Sequence, residues 1–241
     1  MKKNLILGIS LMCITFTNAQ WGKKIKGNGN ITTENRNTES YDAIYISGFF
    51  DVELIDGQEG KLILKGEENL LEHIITEVKD GKLIIKVEKG MNLSPSSWNQ
   101  GIFITVPVES VDAVTLSGSG DIVGKKNIET DHFKTDISGS GDISLSVTSN
   151  SITASISGSG DITLNGRTGD FDVRVSGSGD VKAYELSAKN VTANVSGSAD
   201  IKVTVSEMIQ ARVSGSGDIS YRGNPKKIDT KSSGSGNITK D

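Results

Sequence analysis

Cysteine is almost missing: Cys13 is the single one among 241 residues, and it lies in an apolar run at the N-terminus. From residue 20 onward there is none, which excludes a disulfide scaffold, a Cys-ligated zinc and a Cys nucleophile. Histidine is nearly as scarce. His73 and His132 stand alone, and two isolated histidines make neither a metal site nor a catalytic triad. Serine is abundant, but none sits in a Ser-His-Asp context or a nucleophile elbow. Aromatic residues are 5% of the chain, which suits a narrow interior filled by Ile, Val, Leu and Ala. No basic patch exists: 26 Lys and Arg face 30 Asp and Glu, a net charge of −4. Nucleic acid is therefore not an expected partner. No apolar run has membrane length either, so no membrane span is expected.

The N-terminus carries export signals. Lys2-Lys3 form a basic end, residues 5–16 an apolar run, and Thr17-Asn18-Ala19 a small-residue cleavage site. We read residues 1–19 as a signal peptide cut near Ala19, which makes the chain extracytoplasmic, in the periplasm or at the cell surface. Met12 before Cys13 is too large for a lipoprotein signal. Loss of Lys2 and Lys3 moves the net charge from −4 to −6.

What the chain does have is a repeat. The segment Ser138-Gly139-Ser140-Gly141-Asp142-Ile143 recurs with starts at Ser117, Ser138, Ser157, Ser176, Ser196, Ser214 and Ser233, spaced 21, 19, 19, 20, 18 and 19 residues. Of the 28 glycines, 13 lie in these tags, so the glycine excess belongs to the repeat and not to disorder. A period that regular marks a stacked architecture, in which one unit cannot bury its apolar face alone. Around each tag apolar residues fall on alternate positions, as in Phe133-Thr135-Ile137, Ile152-Ala154-Ile156, Ile143-Leu145-Val147 and Ile201-Val203-Val205. Alternation is the period of a half-buried strand, and β-branched residues suit it.

If Ile137 and Ile143 point inward, the parity also turns Gly139 and Gly141 inward, so the interior narrows or the chain bends there, which predicts a corner. Segments such as Asn165-Gly166-Arg167-Thr168-Gly169 make the return turn. One repeat is then one coil of a single-stranded parallel β-helix, an all-β solenoid with coils of about 19 residues. Six steps of ~4.8 Å give a prism roughly 29 Å long.

Residues 20–108 are an irregular β part of the same domain, and 109–241 the repetitive part. Gly27-Asn28-Gly29-Asn30-Ile31 reads as a worn tag, and Ile46-Ser47-Gly48 with Asp51-Val52 as another in which Phe49-Phe50 replace Ser-Gly, one ring facing in and one out. Lys61-Leu62-Ile63-Leu64-Lys65 reads as a strand. Leu70, Leu71, Ile74 and Ile75 have amphipathic spacing, so a short helix is predicted over residues 67–75. Residues 77–87 form a hairpin turning at Asp80-Gly81. Residues 89–101 read as a loop, and 102–106 as a strand closed by Pro107. The irregular half is the natural cover for one end of the coil, while the other end, at Lys240 and Asp241, has no evident cap.

The run Ile46-Ser47-Gly48-Phe49-Phe50-Asp51-Val52, the segment Asn69-Leu70-Leu71 through Lys82-Leu83, the strand ending Thr105-Val106-Pro107 and the repeated tag together resemble the "putative auto-transporter adhesin head GIN domain" family of Bacteroidetes secreted proteins. The resemblance runs from about Gly27 to Thr239. It implies a β-helical fold and an extracytoplasmic location, and it brings no catalytic residues. Phe49-Phe50 and Ala199 depart from the commonest pattern.

Two site readings follow from the residues. Asp121, Asp142, Asp161, Asp180, Asp200 and Asp218 form an outward column, with Asn237 in the seventh copy. Stacked carboxylates repel, so they bind either calcium or the amides of their own turns and the adjacent Ser hydroxyls. One carboxylate per coil supplies few of the six to eight oxygens that calcium takes. The Ser140, Ser159, Ser178, Ser198 and Ser216 column reads as hydroxyl ladders. Trp98, with Asn92, Asn99 and Gln100 near it in sequence, either stacks on a ligand or closes the apolar end of the coil.

The function expected is a non-enzymatic, adhesin-like binding or surface-structural module, with a glycan or extracellular protein as partner. A carbohydrate-active enzyme is the alternative, but the tags are too uniform for a cleft, and the 89–101 loop holds no acid in its interior. A third reading is an envelope component that assembles through its C-terminal coil.

Overall fold

The computed structural model describes residues 22–241, so the leader read from the sequence lies outside them. Its organising element is the long strand that makes a whole coil. There are five: β11 (Ile122–Gly139), β12 (Ile143–Gly158), β13 (Ile162–Gly177), β14 (Val181–Gly197) and β15 (Ile201–Gly215). Successive members pair in parallel, and the tags superimpose: Ser117, Ser138, Ser157, Ser176, Ser196, Ser214 and Ser233 stand in one register column. The chain is thus a parallel β-solenoid of about seven turns.

Each long strand bends once in mid-course. In β12 the buried positions are Ile143, Leu145, Val147 and Ser149, then Ile152, Ala154 and Ile156. Alternation slips by one residue there, and that slip is the second corner. Ser149 fits it because its hydroxyl donates to the carbonyl of Ser151 at 2.8 Å; Thr168 donates to Asp170 at 2.9 Å one coil later. Unequal coil lengths are absorbed after the tag, not in it. Between β11 and β12 two extra residues sit between Val123 and Asn127, and between β13 and β14 one extra residue of β14 is taken up between Lys182 and Leu186. The tag column stays aligned.

The tag glycines have a cause beyond a narrow interior. A Cβ on Gly139 would lie 2.1 Å from the carbonyl oxygen of Gly118, and one on Gly141 1.9 Å from that of Gly120. Both clashes are with the tag one coil earlier. Axial contact with the neighbouring backbone is the nearest obstacle at both positions, and the Leu116 side chain also lies 2.9 Å from a Cβ on Gly141.

The irregular half extends both faces of the coil. It comprises β1 (Lys23–Lys26), β2 (Ile31–Asn37), β3 (Ala43–Gly48), β4 (Asp51–Asp56), β5 (Lys61–Glu67), α1 (Glu68–Leu71), β6 (Ile74–Lys79), β7 (Lys82–Val87), β8 (Met91–Ser94), β9 (Phe103–Val108) and β10 (Ala113–Gly118). On one face β10, β3 and β7 continue the parallel ladder, and β6 closes it antiparallel. On the other, β4 and β9 continue it, and β5 and β2 close it antiparallel. The antiparallel strands end the stack of tags. Gly48 pairs with Gly118, so the Phe49-Phe50 segment is a true rung. Phe50 is buried and Phe49 partly so, their ring centroids 5.6 Å apart.

Three expectations need correction. The helix is four residues long, Glu68–Leu71, and Ile74 and Ile75 belong to β6. Gly27-Asn28-Gly29-Asn30-Ile31 is no rung: it links β1 to β2, which runs antiparallel to β5. The 89–101 segment contains β8, paired in parallel with β1. The hairpin stands as expected, with Asp80 and Gly81 at φ of 50° and 70° between paired Lys79 and Lys82.

At the far end come β16 (Ile219–Arg222), β17 (Lys227–Gly234) and β18 (Ile238–Lys240). Ile209, Ala211 and Val213 are overlaid by Ile228, Thr230 and Ser232. The interior column turns polar in this coil, and all of β17 is exposed. An atypical terminal unit is how a stack limits the apolar surface at its end.

Candidate functional site

The Asp column is an interlocked ladder. Asp121 accepts the backbone amide of Asp142 at 3.1 Å, Asp142 that of Asp161 at 2.8 Å, Asp161 that of Asp180 at 2.8 Å and Asp180 that of Asp200 at 2.8 Å. Asp200 and Asp218 continue it to Asp218 and Asn237 at 2.9 and 2.7 Å. Each carboxylate serves the next coil, not its own turn. The reason is the corner: the Asp carbonyl already accepts the following residue of the preceding coil, as from Ile143 to Asp161 at 2.9 Å, and the Asp amide finds its partner in a side chain. One oxygen of each carboxylate is committed in this way. Lys182 offsets the repulsion, with its ammonium 2.7 Å from Asp161. Burial pushes Asp161 up, but the Lys182 ammonium and the Asp180 amide outweigh it and hold its carboxyl below the usual range. Among the described residues no group of three or more His, Cys, Asp or Glu is placed to hold a metal ion.

A different face gathers the exposed apolar residues. Phe103, Ile63 and Ile31 are 49%, 40% and 45% exposed. Asp51 of β4, Phe103 of β9, Lys65 of β5 and Thr33 of β2 lie side by side in register. Two cavities adjoin there and share Phe103 and Lys65. One, of about 520 Å³, is bounded by Asp51, Glu53, Thr105 and Asp121; the other, of about 240 Å³, by Ile31, Asn99, Gln100 and Gly101. The Phe103 ring therefore stands between a carboxylate-lined hollow and an amide-lined one. Burial pushes the Asp51 carboxyl up, and the Asp121 charge adds to this against a bond from the Asp121 amide.

The loop beside this face is held from below by Glu67. Its carboxylate is buried and accepts the amides of Ser96 at 2.8 Å and Gly29 at 2.6 Å. Burial pushes this group up, yet the bonds from Ser96 and Gly29 hold it below the usual carboxylate range. A Cβ on Gly27 would lie 2.0 Å from this carboxylate, which explains the glycine in the apparent worn tag. One buried acid thus ties the β1–β2 link at Gly29 to the loop at Ser96.

Trp98, at the tip of that loop, is 97% exposed. At that exposure it is no lid over the coil end. Asn99 lines the smaller cavity, while Asn92 lies on β8, exposed and outside both cavities. Phe103, Ile63, Ile31 and Lys65 escape a reading of the sequence. In β9 the pattern Phe103-Ile104-Thr105-Val106 does place Phe103 on the outward parity, the one signal that could have found it.

Stacked coils with a flat polar column, and a sheet face that exposes Phe103, Ile63 and Ile31, define a β-solenoid module. The chain belongs to the family described as "Putative auto-transporter adhesin, head GIN domain", whose model matches residues 40–225. Among solved structures it is similar to a "putative adhesin" from Bacteroides fragilis, with TM-score 0.83, 23% identity, 90% of this chain covered and 100% of that one. It is also similar to a "putative lipid binding protein" from Parabacteroides distasonis, with TM-score 0.75, 26% identity, and coverage of 91% and 100%. A "putative adhesin" from Parabacteroides merdae has TM-score 0.68, 19% identity, and coverage of 91% and 99%. No curated protein matches the chain. Among the described residues no helix is long and apolar enough to cross a membrane.

Proposed function

We propose that this chain is an exported, non-enzymatic, adhesin-like binding module whose contact face is the outer surface of β2, β5, β9 and β4 together with the Trp98 loop. The observation that carries this is one of placement. Of the exposed large apolar residues Ile31, Ile63, Trp98, Phe103 and Ile228, three share this sheet face and Trp98 tops the loop beside it. Outward positions of the repetitive coils are mostly Ser, Thr, Asp and Lys. Aromatic rings flanked by carboxylates and amides suit the faces and hydroxyls of a sugar, or a mixed patch of an extracellular protein. The Asp ladder is structural in this reading, and its carboxylates need no calcium.

The test is a glycan and extracellular-protein array probed with the chain from residue 20. Saturable binding that falls about tenfold or more in Phe103→Ala and Trp98→Ala supports the reading. Binding that both variants retain overturns it. Lipid vesicles belong on the same array, because the exposed Ile31 and Ile63 and the similarity to a protein described as lipid-binding favour that as a second reading. Release of cleaved sugar products would overturn the non-enzymatic assignment.

A further inference from the structure

A second surface feature runs along the coils, away from the Phe103 face. It is a groove of about 750 Å³ parallel to the stack axis, formed where each coil approaches its tag. One wall is the Ser column from Ser138 to Ser233. The other is the column two residues upstream, Asp136, Ser155, Arg174, Asn194, Arg212 and Lys231, aligned rung over rung by the parallel register. Six rungs make five steps of ~4.8 Å, so the groove is roughly 24 Å long.

Its lining carries more cations than carboxylates, unlike the protein as a whole, although two of those cations are ion-paired. The whole chain has 26 basic and 30 acidic residues, but the groove is lined by three cations and one carboxylate. Asp136 stands at its first rung, bonded to Lys134 at 2.7 Å. Arg174 and Arg212 keep one side of each guanidinium on Asp172 and Asp229, both at 2.6 Å, which orients them. Lys231 has no ion-pair partner among the described residues.

We infer that this groove binds a linear acidic polysaccharide, with its anionic groups over Arg174, Arg212 and Lys231 and its hydroxyls along the Ser column. Length and straightness call for an extended chain. The donors are hydroxyls at even spacing and guanidiniums, which fit hydroxyl and carboxylate or sulfate groups. An extended peptide is disfavoured because the backbone amides and carbonyls of these strands are engaged in the solenoid ladders, leaving no edge for strand addition in the groove. This site is independent of the Phe103 face.

The experiment titrates the chain from residue 20 with fluorescent oligogalacturonate, with neutral dextran and poly-glutamate as comparisons. Saturable, salt-sensitive binding of oligogalacturonate alone is expected, weakened about tenfold in the R174Q/R212Q double variant. D136N removes the one acid and should tighten binding about twofold to threefold, a gain that misfolding cannot mimic. F103A should leave the affinity unchanged. The inference is overturned by no binding, by equal binding of dextran or poly-glutamate, by no change in R174Q/R212Q and D136N, or by loss in F103A.

Discussion

A Cβ built on Gly158 would sit 2.1 Å from the carbonyl oxygen of Gly139, the equivalent glycine one coil earlier. Gly158 also has φ of +138°, a conformation that side chains resist. The fourth tag position has the same axial crowding, with 2.0 Å from Gly179 to the Gly160 oxygen, but lacks the positive φ. Ala199 occupies that fourth position one coil on and is wholly buried, so a methyl can be accommodated there.

Gly158→Ala should therefore cost more than about 3 kcal/mol or prevent folding, since strain and a backbone clash act together. Gly179→Ala should be milder, about 1–2 kcal/mol, because only the spacing must adjust. Denaturant midpoints of the two variants check the order. Equal losses would mean that axial contact alone sets the tag.

Asp180→Ala removes the acceptor of the Asp200 amide, a part-buried bond of 2.8 Å. The expected loss is about 1–3 kcal/mol, the cost of leaving an amide unpaired. Asp180→Asn keeps an oxygen in place and should lose less. Hydrogen exchange gives a sharper readout: the Asp200 amide should lose protection in Asp180→Ala and retain it in Asp180→Asn.

The repeat explains what the sequence makes legible and what it hides. Parity around Ile137 and Ile143, and the fixed tag spacing, specify strands, corners and register because every coil meets a copy of itself. The same identity hides the Asp acceptors: an amide in the next coil has the same sequence context as one in its own turn. The glycines mislead for a related reason, since their nearest neighbours lie along the axis rather than across the core. Ile74 and Ile75 fit a helical stripe, yet pairing of β6 with β7 decides for strand. The Phe103 face is assembled from segments near residues 31, 51, 63 and 103, whose adjacency depends on two antiparallel pairings that no local pattern announces.

Acid should destabilise the irregular half through Glu67. Its carboxyl is lowered in the folded state, so the unfolded chain binds the proton more tightly. The stabilisation is complete above the unfolded value of about 4.3 and fades as pH falls through the lower folded value. Asp161, also lowered, adds a loss of the same sign, whereas Asp51, raised, works in the opposite direction. Glu67→Gln should flatten the acid limb of a stability–pH curve measured by circular dichroism. It should also release the Ser96 amide to faster hydrogen exchange at neutral pH. An unchanged acid limb would remove Glu67 from the account.

Thr135 holds an inward position between Val114 and Ala154 in the register column, and its hydroxyl is buried with no partner. The rest of that column is apolar up to the terminal coil, where Thr230 is exposed to solvent. Thr135→Val keeps the β-branched shape that a strand favours and removes an unsatisfied polar atom, so it should stabilise the chain by about 1 kcal/mol. Thr135→Ala matches the residue at Ala154 but opens space in β11, and should gain less or lose. If Thr135→Val lowers the unfolding midpoint, the hydroxyl has a partner inside the coil, such as a water bound at this rung.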